Sequence, residues 1–250
     1  MNRWVGKLAI VTGASSGIGK IISQSLIQDG INVLGLARND EKLKMLQKNF
    51  IGTKGSFHYM KCDIRNEKEI LSAFKYAEDQ FGGVDILINN AGVFKVATYD
   101  VLSTEDMHEI MEVNLIGSVI CIRETIKSIR KHNKEGHIIN INSISGINAK
   151  AVPLPLNLSP PSKFALRAVA DNLRVDIAKA KDQIRVTSIY CGLVNTALKE
   201  KKPQFDPDVV TKTMAGIEGT DVSNLLLYIL GTPPHVQIED LVVTGFNTNK

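Results

Sequence analysis

The chain alternates short apolar runs with longer segments of helical period. The runs are Leu8–Val11, Ile31–Leu36, Phe57–Cys62, Val84–Ile88, His137–Ile141, Ile184–Ile189 and Leu241–Val243. Most are continuously apolar, the pattern of strands covered on both faces. Between them, Gly17–Gln28 brings Ile18, Ile21, Ile22 and Leu26 to one side. Asn66–Phe81 opens with Asn66 and Glu69 at capping-box spacing, then aligns Ile70, Leu71, Phe74 and Ala77 on one face. Ser103–Arg130 and Pro161–Ala180 are long helical patterns, and Asp221–Leu230 is a shorter one. The alternation predicts one α/β domain over residues 1–250, a doubly wound parallel sheet of about seven strands with helices on both faces. Only residues 199–221 break the rhythm, with Pro203, Pro207, Gly216, Gly219 and a cluster of charges. That stretch follows a strand, so it reads as a lid over a binding edge, with a plain surface loop as the alternative.

Composition narrows the class. With 44% hydrophobic, 22% charged and 6% aromatic residues the chain is ordinary globular protein, not a disordered or collagen-like one. A net charge of +4 is too small and too scattered to indicate nucleic acid as a partner. The basic group Lys127, Arg130, Lys131 and Lys134 falls near a helix end, where cations complement the helix dipole. Cys62, Cys121 and Cys191 are odd in number and widely spaced, and the five histidines have no ligand spacing. Neither a metal site nor a disulfide framework is expected, and a reducing compartment is. Leu8–Val11 is too short for a signal core or a membrane span, and Asn249-Lys250 matches no peroxisomal or prenylation signal. A cytoplasmic protein with no membrane partner is the expectation.

The most specific chemistry lies at the end of the first strand, in Thr12-Gly13-Ala14-Ser15-Ser16-Gly17-Ile18-Gly19, just before a helix. Glycines there let the backbone approach a pyrophosphate, and the helix N-terminus offers free N–H groups and a favourable dipole. The spacing, G-x-x-x-G-x-G, differs from the usual dinucleotide fingerprint, but its place between strand and helix points to a Rossmann-type nucleotide site. The second strand ends at Arg38, where an acid would select NAD. A guanidinium there fits a 2′-phosphate and favours NADP. Asp63, after the third strand, is either an acceptor for an adenine amino group or an ordinary loop aspartate.

With these pieces the chain resembles the short-chain dehydrogenase/reductase family over nearly its whole length. The glycine motif stands at Thr12–Gly19 and the Asn-Asn-Ala-Gly motif at Asn89-Asn90-Ala91-Gly92. The helix asparagine, active serine and active lysine match Asn114, Ser143 and Lys163. The opening Arg3-Trp4-x-Gly6-Lys7 and the ending Thr232–Ile238 are similar to an NADP-preferring, farnesol dehydrogenase-like insect subgroup. The resemblance implies NADP(H) as cofactor and a small lipophilic alcohol or carbonyl as substrate. It also implies a homodimer or homotetramer paired through the two long helices. The cofactor contacts it implies are Gly13, Ser15, Ser16, Gly17, Ile18, Gly19, Arg38, Asp63, Ile64, Asn90, Ala91, Gly92, Lys163, Gly192, Val194 and Thr196.

One departure outweighs the agreement. The family carries Tyr-x-x-x-Lys, the tyrosine exchanging a proton with the substrate oxygen. Here Ser159 stands four residues before Lys163, in Ser159-Pro160-Pro161-Ser162-Lys163. A serine hydroxyl ionises far less readily than a phenol and reaches less far. Ser159 also reads as a helix N-cap ahead of two prolines. A second departure places Cys191-Gly192, preceded by Tyr190, where the family usually has Pro-Gly. Tyr190 is either a compensating phenol or a packed strand aromatic, and Cys191 reads as a small strand-end residue. Two functions follow: an NADP(H) oxidoreductase with weakened proton transfer, or a catalytically silent cofactor-binding protein with a regulatory role.

Overall fold

The structure, a computed structural model, describes residues 1–50, 52–198 and 214–246. Seven strands form one sheet: β1 Leu8–Thr12, β2 Asn32–Ala37, β3 Phe57–Lys61, β4 Ile86–Asn89, β5 Gly136–Ser143, β6 Ile184–Cys191 and β7 Asp240–Val243. Their order is β3-β2-β1-β4-β5-β6-β7, and every pairing is parallel. The order reverses between β1 and β4, and in such sheets ligands bind beyond the carboxyl ends of the strands at that switch point.

Burial on both faces explains the continuous apolar runs. Ala9, Val11, Val33, Ile88 and Ile189 point to one layer, packed with helices α1 (Gly17–Gln28), α2 (Asp40–Asn49) and α8 (Gly219–Gly231); the one-turn α7 (Asn195–Leu198) follows β6. Leu8, Ile10, Leu34, Leu87 and Val186 point to the other, packed with α3 (Glu67–Phe81), α5 (Gly117–His132) and α6 (Ser159–Ala180). Thus the expected seven strands and the helices on both faces are present. No described helix is long and apolar enough to cross a membrane.

Four local readings differ from the sequence expectation. Helix α2 was not anticipated, because only Leu43 and Leu46 of its ten residues are buried. The pattern Ser103–Arg130 is not one regular helix: α4 (Thr104–Met111) passes through a π-helical turn, Glu112–Ile116, before α5. Asn66 caps α3 by accepting from Lys68 N, while Glu69 accepts the Asp63 amide (2.8 Å) and the Asn66 side-chain amide (2.8 Å), so the reciprocal capping box does not close.

The fourth difference is Ser159, which is the first residue of α6 and not its cap; Leu158 takes that place. A cap side chain needs N–H groups two and three residues on. Pro161 has none, and the Ser162 N–H already bonds the Leu158 carbonyl at 3.0 Å. The basic group on α5 is paired: Arg130 with Asp182 at 2.7 Å, Lys127 with Glu124 at 2.9 Å, and Lys131 with Glu78. Of the expected lid, residues 199–213 lie outside the described residues. Beyond them Ile217 bridges Val194, and Glu218 with Asp221 closes a capping box on α8.

Gly19 sits inside α1, where alanine normally gains about 1 kcal/mol over glycine. Here a Cβ would overlap the Gly13 carbonyl and the Asn90 side-chain amide. Gly19→Ala is therefore expected to destabilise, by about 1–3 kcal/mol or more, measured as the urea unfolding midpoint.

Candidate active site

Two spaces open at the carboxyl edge of the sheet. The first is a cleft of about 300 Å³ lined by Gly13, Ser15, Ser16, Arg38, Asp63, Ile64, Asn90, Ala91, Gly92 and Val93, among others. The second is a cavity of about 270 Å³ lined by Asn114, Asn142, Ser143, Ser145, Ser159, Lys163, Cys191 and Gly192, with walls of Val93, Phe94, Val152, Leu154, Leu156, Leu193 and Met214. Gly92 and Val93 line both, so the spaces adjoin there. Ile18 and Val194 line the second, and the Thr196 hydroxyl would lie 3.7 Å from a Cβ on Gly17.

The cleft is built around the turn after β1. Gly13 has φ +68°, and a Cβ on it would stand 2.9 Å from the Asn90 amide. Asn90 Nδ2 donates to the Thr12 carbonyl at 2.9 Å, and Thr12 Oγ1 accepts from the N–H groups of Asn90 and Ala91, both at 3.0 Å. Asn90 thus locks the turn with its side chain. Ser16 precedes α1 without a side-chain capping bond, leaving its first N–H groups free at the cleft. Those features fit a pyrophosphate. At the other end the Asp63 carboxylate is taken up by Arg65, with Nε at 3.0 Å and Nη2 at 2.6 Å, and that hydrogen bond is the main cause holding it below its usual range. Arg38 is 58% exposed, 3.5 Å from Glu109.

The cavity is built around Asn114 in the π-helical turn. Its Oδ1 accepts from Val93 N at 2.8 Å, and its Nδ2 donates to the Val93 carbonyl at 2.9 Å and to Ser162 Oγ at 3.0 Å. Ser143, at the end of β5, accepts from Ser145 N at 3.1 Å and from Ser145 Oγ at 3.0 Å. With both lone pairs used, its own O–H is left to donate. Lys163 Nζ donates to the Ile141 carbonyl at 3.3 Å and faces no carboxylate among the described residues. Burial lowers its pKa to about 8, which the nearby Cys191 opposes only weakly. Cys191 is itself pushed up to about 12 by burial.

The short chain dehydrogenase family matches residues 7–206. The chain belongs to the short-chain dehydrogenase family. It is 38% identical to a farnesol dehydrogenase of Aedes aegypti over 97% of both chains. It is also 38% identical to dehydrogenase/reductase SDR family member 11 of Homo sapiens, over 96% of this chain and 95% of that one. Among solved structures, the closed form of a serine dehydrogenase complexed with NADP+ superposes with a TM-score of 0.84 at 27% identity, covering 97% of this chain and 99% of the other.

Ser159 stands four residues before Lys163, the position where the sequence resemblance leads one to expect a tyrosine. Ser159 Oγ is buried and makes no hydrogen bond, although the residue lines the cavity. Tyr190 offers no replacement. It is fully buried, outside the cavity lining, with Oη on Asp240 at 3.3 Å and its pKa raised to about 12 by burial. Adjacent strand residues face opposite sides of a sheet, so the side that exposes Cys191 to the cavity turns Tyr190 away.

Three contributors escaped the sequence reading. Ser145 fixes the Ser143 hydroxyl. Asn142 Nδ2 donates to the Lys163 carbonyl at 3.1 Å. Asn157, at φ +45°, donates to the carbonyls of Lys95 at 3.0 Å and Ala97 at 3.1 Å, pinning one wall segment to another. Only Asn157 carried a signal, since Asn tolerates left-handed backbone.

Lys163 gives this site a stability signature. Its pKa falls from 10.5 unfolded to about 8 folded, so the unfolded chain binds more protons between those values. The cost of burying the ammonium is complete below about pH 8 and fades as pH rises toward 10.5. Lys163→Met is expected to stabilise the protein at pH 7 by up to about 3 kcal/mol, with the gain shrinking by pH 10. Paired urea titrations at the two pH values measure it.

Proposed function

We propose that this protein is an NADP(H)-binding alcohol–carbonyl oxidoreductase whose proton transfer is weakened by serine at position 159. The observation that carries the reading is a cleft lined by the glycine turn, Arg38 and Asn90 beside a lysine-bearing cavity with no tyrosine among the described residues of its lining. When bound, the nicotinamide supplies or accepts the hydride. The turn at Gly13–Gly19 and the free N–H groups of α1 would hold the pyrophosphate. Arg38 would take the 2′-phosphate, with Asp63 and Ile64 beside the adenine, and Lys163 would hold the nicotinamide ribose together with Ala91, Gly92, Gly192, Val194 and Thr196. The NADP+-bound serine dehydrogenase supports the cofactor assignment.

On the substrate side, the remaining Ser143 O–H donates to the carbonyl oxygen and Lys163 supplies positive charge nearby. The walls of Val152, Leu154, Leu156 and Leu193 favour a small lipophilic body, in keeping with the farnesol dehydrogenase relative. Asn114 is tied to Val93 and Ser162, so it shapes the cavity and leaves proton transfer to water near Lys163. Losing a positioned general acid lowers the rate by about 10²–10⁴. The buried, unpartnered Ser159 Oγ also favours a second reading, a silent cofactor-binding protein acting in regulation. A cytoplasmic location completes the proposal, supported by three free, buried cysteines.

Ser159→Tyr is expected to raise NADPH-dependent carbonyl reduction by about 10²–10⁴ across a substrate panel, leaving NADPH affinity unchanged. Tyr190→Phe is expected to leave the wild-type rate as it is. A revertant that binds NADPH and stays inert on every carbonyl supports the silent protein instead. In fluorescence titration NADPH is expected to bind more tightly than NADH, and Arg38→Ala to weaken NADPH by about 10–100-fold, the range for hydrogen bonds to a charged group.

The exposed Ile116, Phe164 and Val175, along the π-helical turn and α6, support a homodimer or homotetramer. Light scattering at micromolar concentration is expected to give one of these masses, and a strict monomer removes the assignment.

A further inference from the structure

The charges behind Arg38 are arranged unevenly. Its ion-pair partner is Glu109 on α4, whose Oε1 lies 3.5 Å from the guanidinium, beyond good hydrogen-bond length. Glu109 is well anchored on its other side, where Oε2 meets Lys95 Nζ at 2.8 Å. Lys95 is shared, since Asp106 also lies 2.8 Å from the same ammonium. Arg65, the next cation, is spent on Asp63. One lysine therefore serves two carboxylates, and Glu112 adds a further negative charge felt by Arg65. The Lys95 hydrogen bond keeps Glu109 below the usual carboxylate range, so it is ionised at neutral pH.

A dianionic phosphate seated on Arg38 would thus approach a fixed carboxylate whose other cations, Lys95 and Arg65, are each shared with a second acid. We infer that Glu109 sets how strongly the cofactor cleft prefers a 2′-phosphorylated dinucleotide, competing with that phosphate for Arg38 and repelling it. The inference rests on the NADP(H) reading above and deepens it: the preference made by Arg38 is held in check from α4. Glu109 does not line the cleft, so it acts on the phosphate through its field and through Arg38. An unphosphorylated ribose carries no charge there and does not register Glu109.

The test is a pair of dissociation constants, for NADPH and NADH, on the full-length protein at low and high salt. Glu109→Gln is expected to tighten NADPH by about 3–10-fold, as removal of one like charge several ångströms from a solvent-exposed phosphate implies at a dielectric near that of water. NADH is expected to stay within about twofold, which also reports an intact cleft. The gain should shrink at 0.5 M salt, where exposed charges are screened within a few ångströms. Glu109→Ala should behave like the glutamine variant, because charge and not shape is responsible. Lys95→Met, which strips the carboxylate of its compensation, should weaken NADPH and spare NADH. An unchanged NADPH/NADH ratio in Glu109→Gln overturns the inference. So does weaker NADPH binding, which would make Glu109 a support for Arg38. A wild type that binds neither dinucleotide removes the parent reading and this inference together, whereas normal NADPH binding with an indifferent Glu109→Gln removes this inference alone.

Discussion

The cavity depends on one side chain, Asn114. It satisfies both polar groups of Val93 and still reaches Ser162, so three separate pieces of chain converge on a single buried amide. The loop after β4, the junction of α4 and α5, and the first turn of α6 are held in one arrangement. The π-helical turn places Asn114 there, since one extra residue per turn swings a side chain that a regular helix would carry elsewhere. Buried polar groups are costly unless paired, and here pairing is complete, so the node is stable as well as specific. Ser162 passes the constraint on, donating to the Ser159 carbonyl at 2.7 Å and fixing the start of α6, one turn before Lys163.

The two halves of the site use opposite electrostatics. In the cleft, charges are partly exposed and shared unevenly, Lys95 serving both Asp106 and Glu109, so their field is tunable and screened by salt. In the cavity, Lys163 lies among apolar walls with one backbone carbonyl for company. An ammonium so placed is destabilised in the folded protein, a strain of the sort that binding sites retain when a ligand will relieve it. Tyrosine in this setting would gain most from the lysine, because low dielectric strengthens their attraction. In the proposed function, serine at position 159 leaves the lysine in place without the phenol it would act on.

Much of this was legible along the chain. All seven strands and the helices on both faces follow from apolar runs and period, because a parallel sheet buries both faces and marks its strands plainly. The glycine turn, Arg38, Asn90, Asn114, Ser143 and Lys163 could be located by motif, and each lines or borders the two spaces. Strand ends were harder. Strands β5 and β6 run on to Ser143 and Cys191, past the apolar stretch: Asn142 and Ser143 line the cavity, whereas Tyr190 is buried with its hydroxyl on Asp240.

What the amino-acid order determined by itself was the architecture, the glycine-rich turn between β1 and α1 and the absence of a tyrosine before Lys163, each carried by local pattern or residue identity. Tertiary structure alone decided the contacts between distant segments. It turned Tyr190 toward Asp240 and away from the cavity, a matter of which strand face meets which layer. It denied Ser159 the capping role because the N–H groups beyond it are missing or taken. It also set Glu109 of α4 against Arg38, just past β2 and seventy-one residues away in sequence. Such pairings depend on how helices pack against the sheet, and no local periodicity records them.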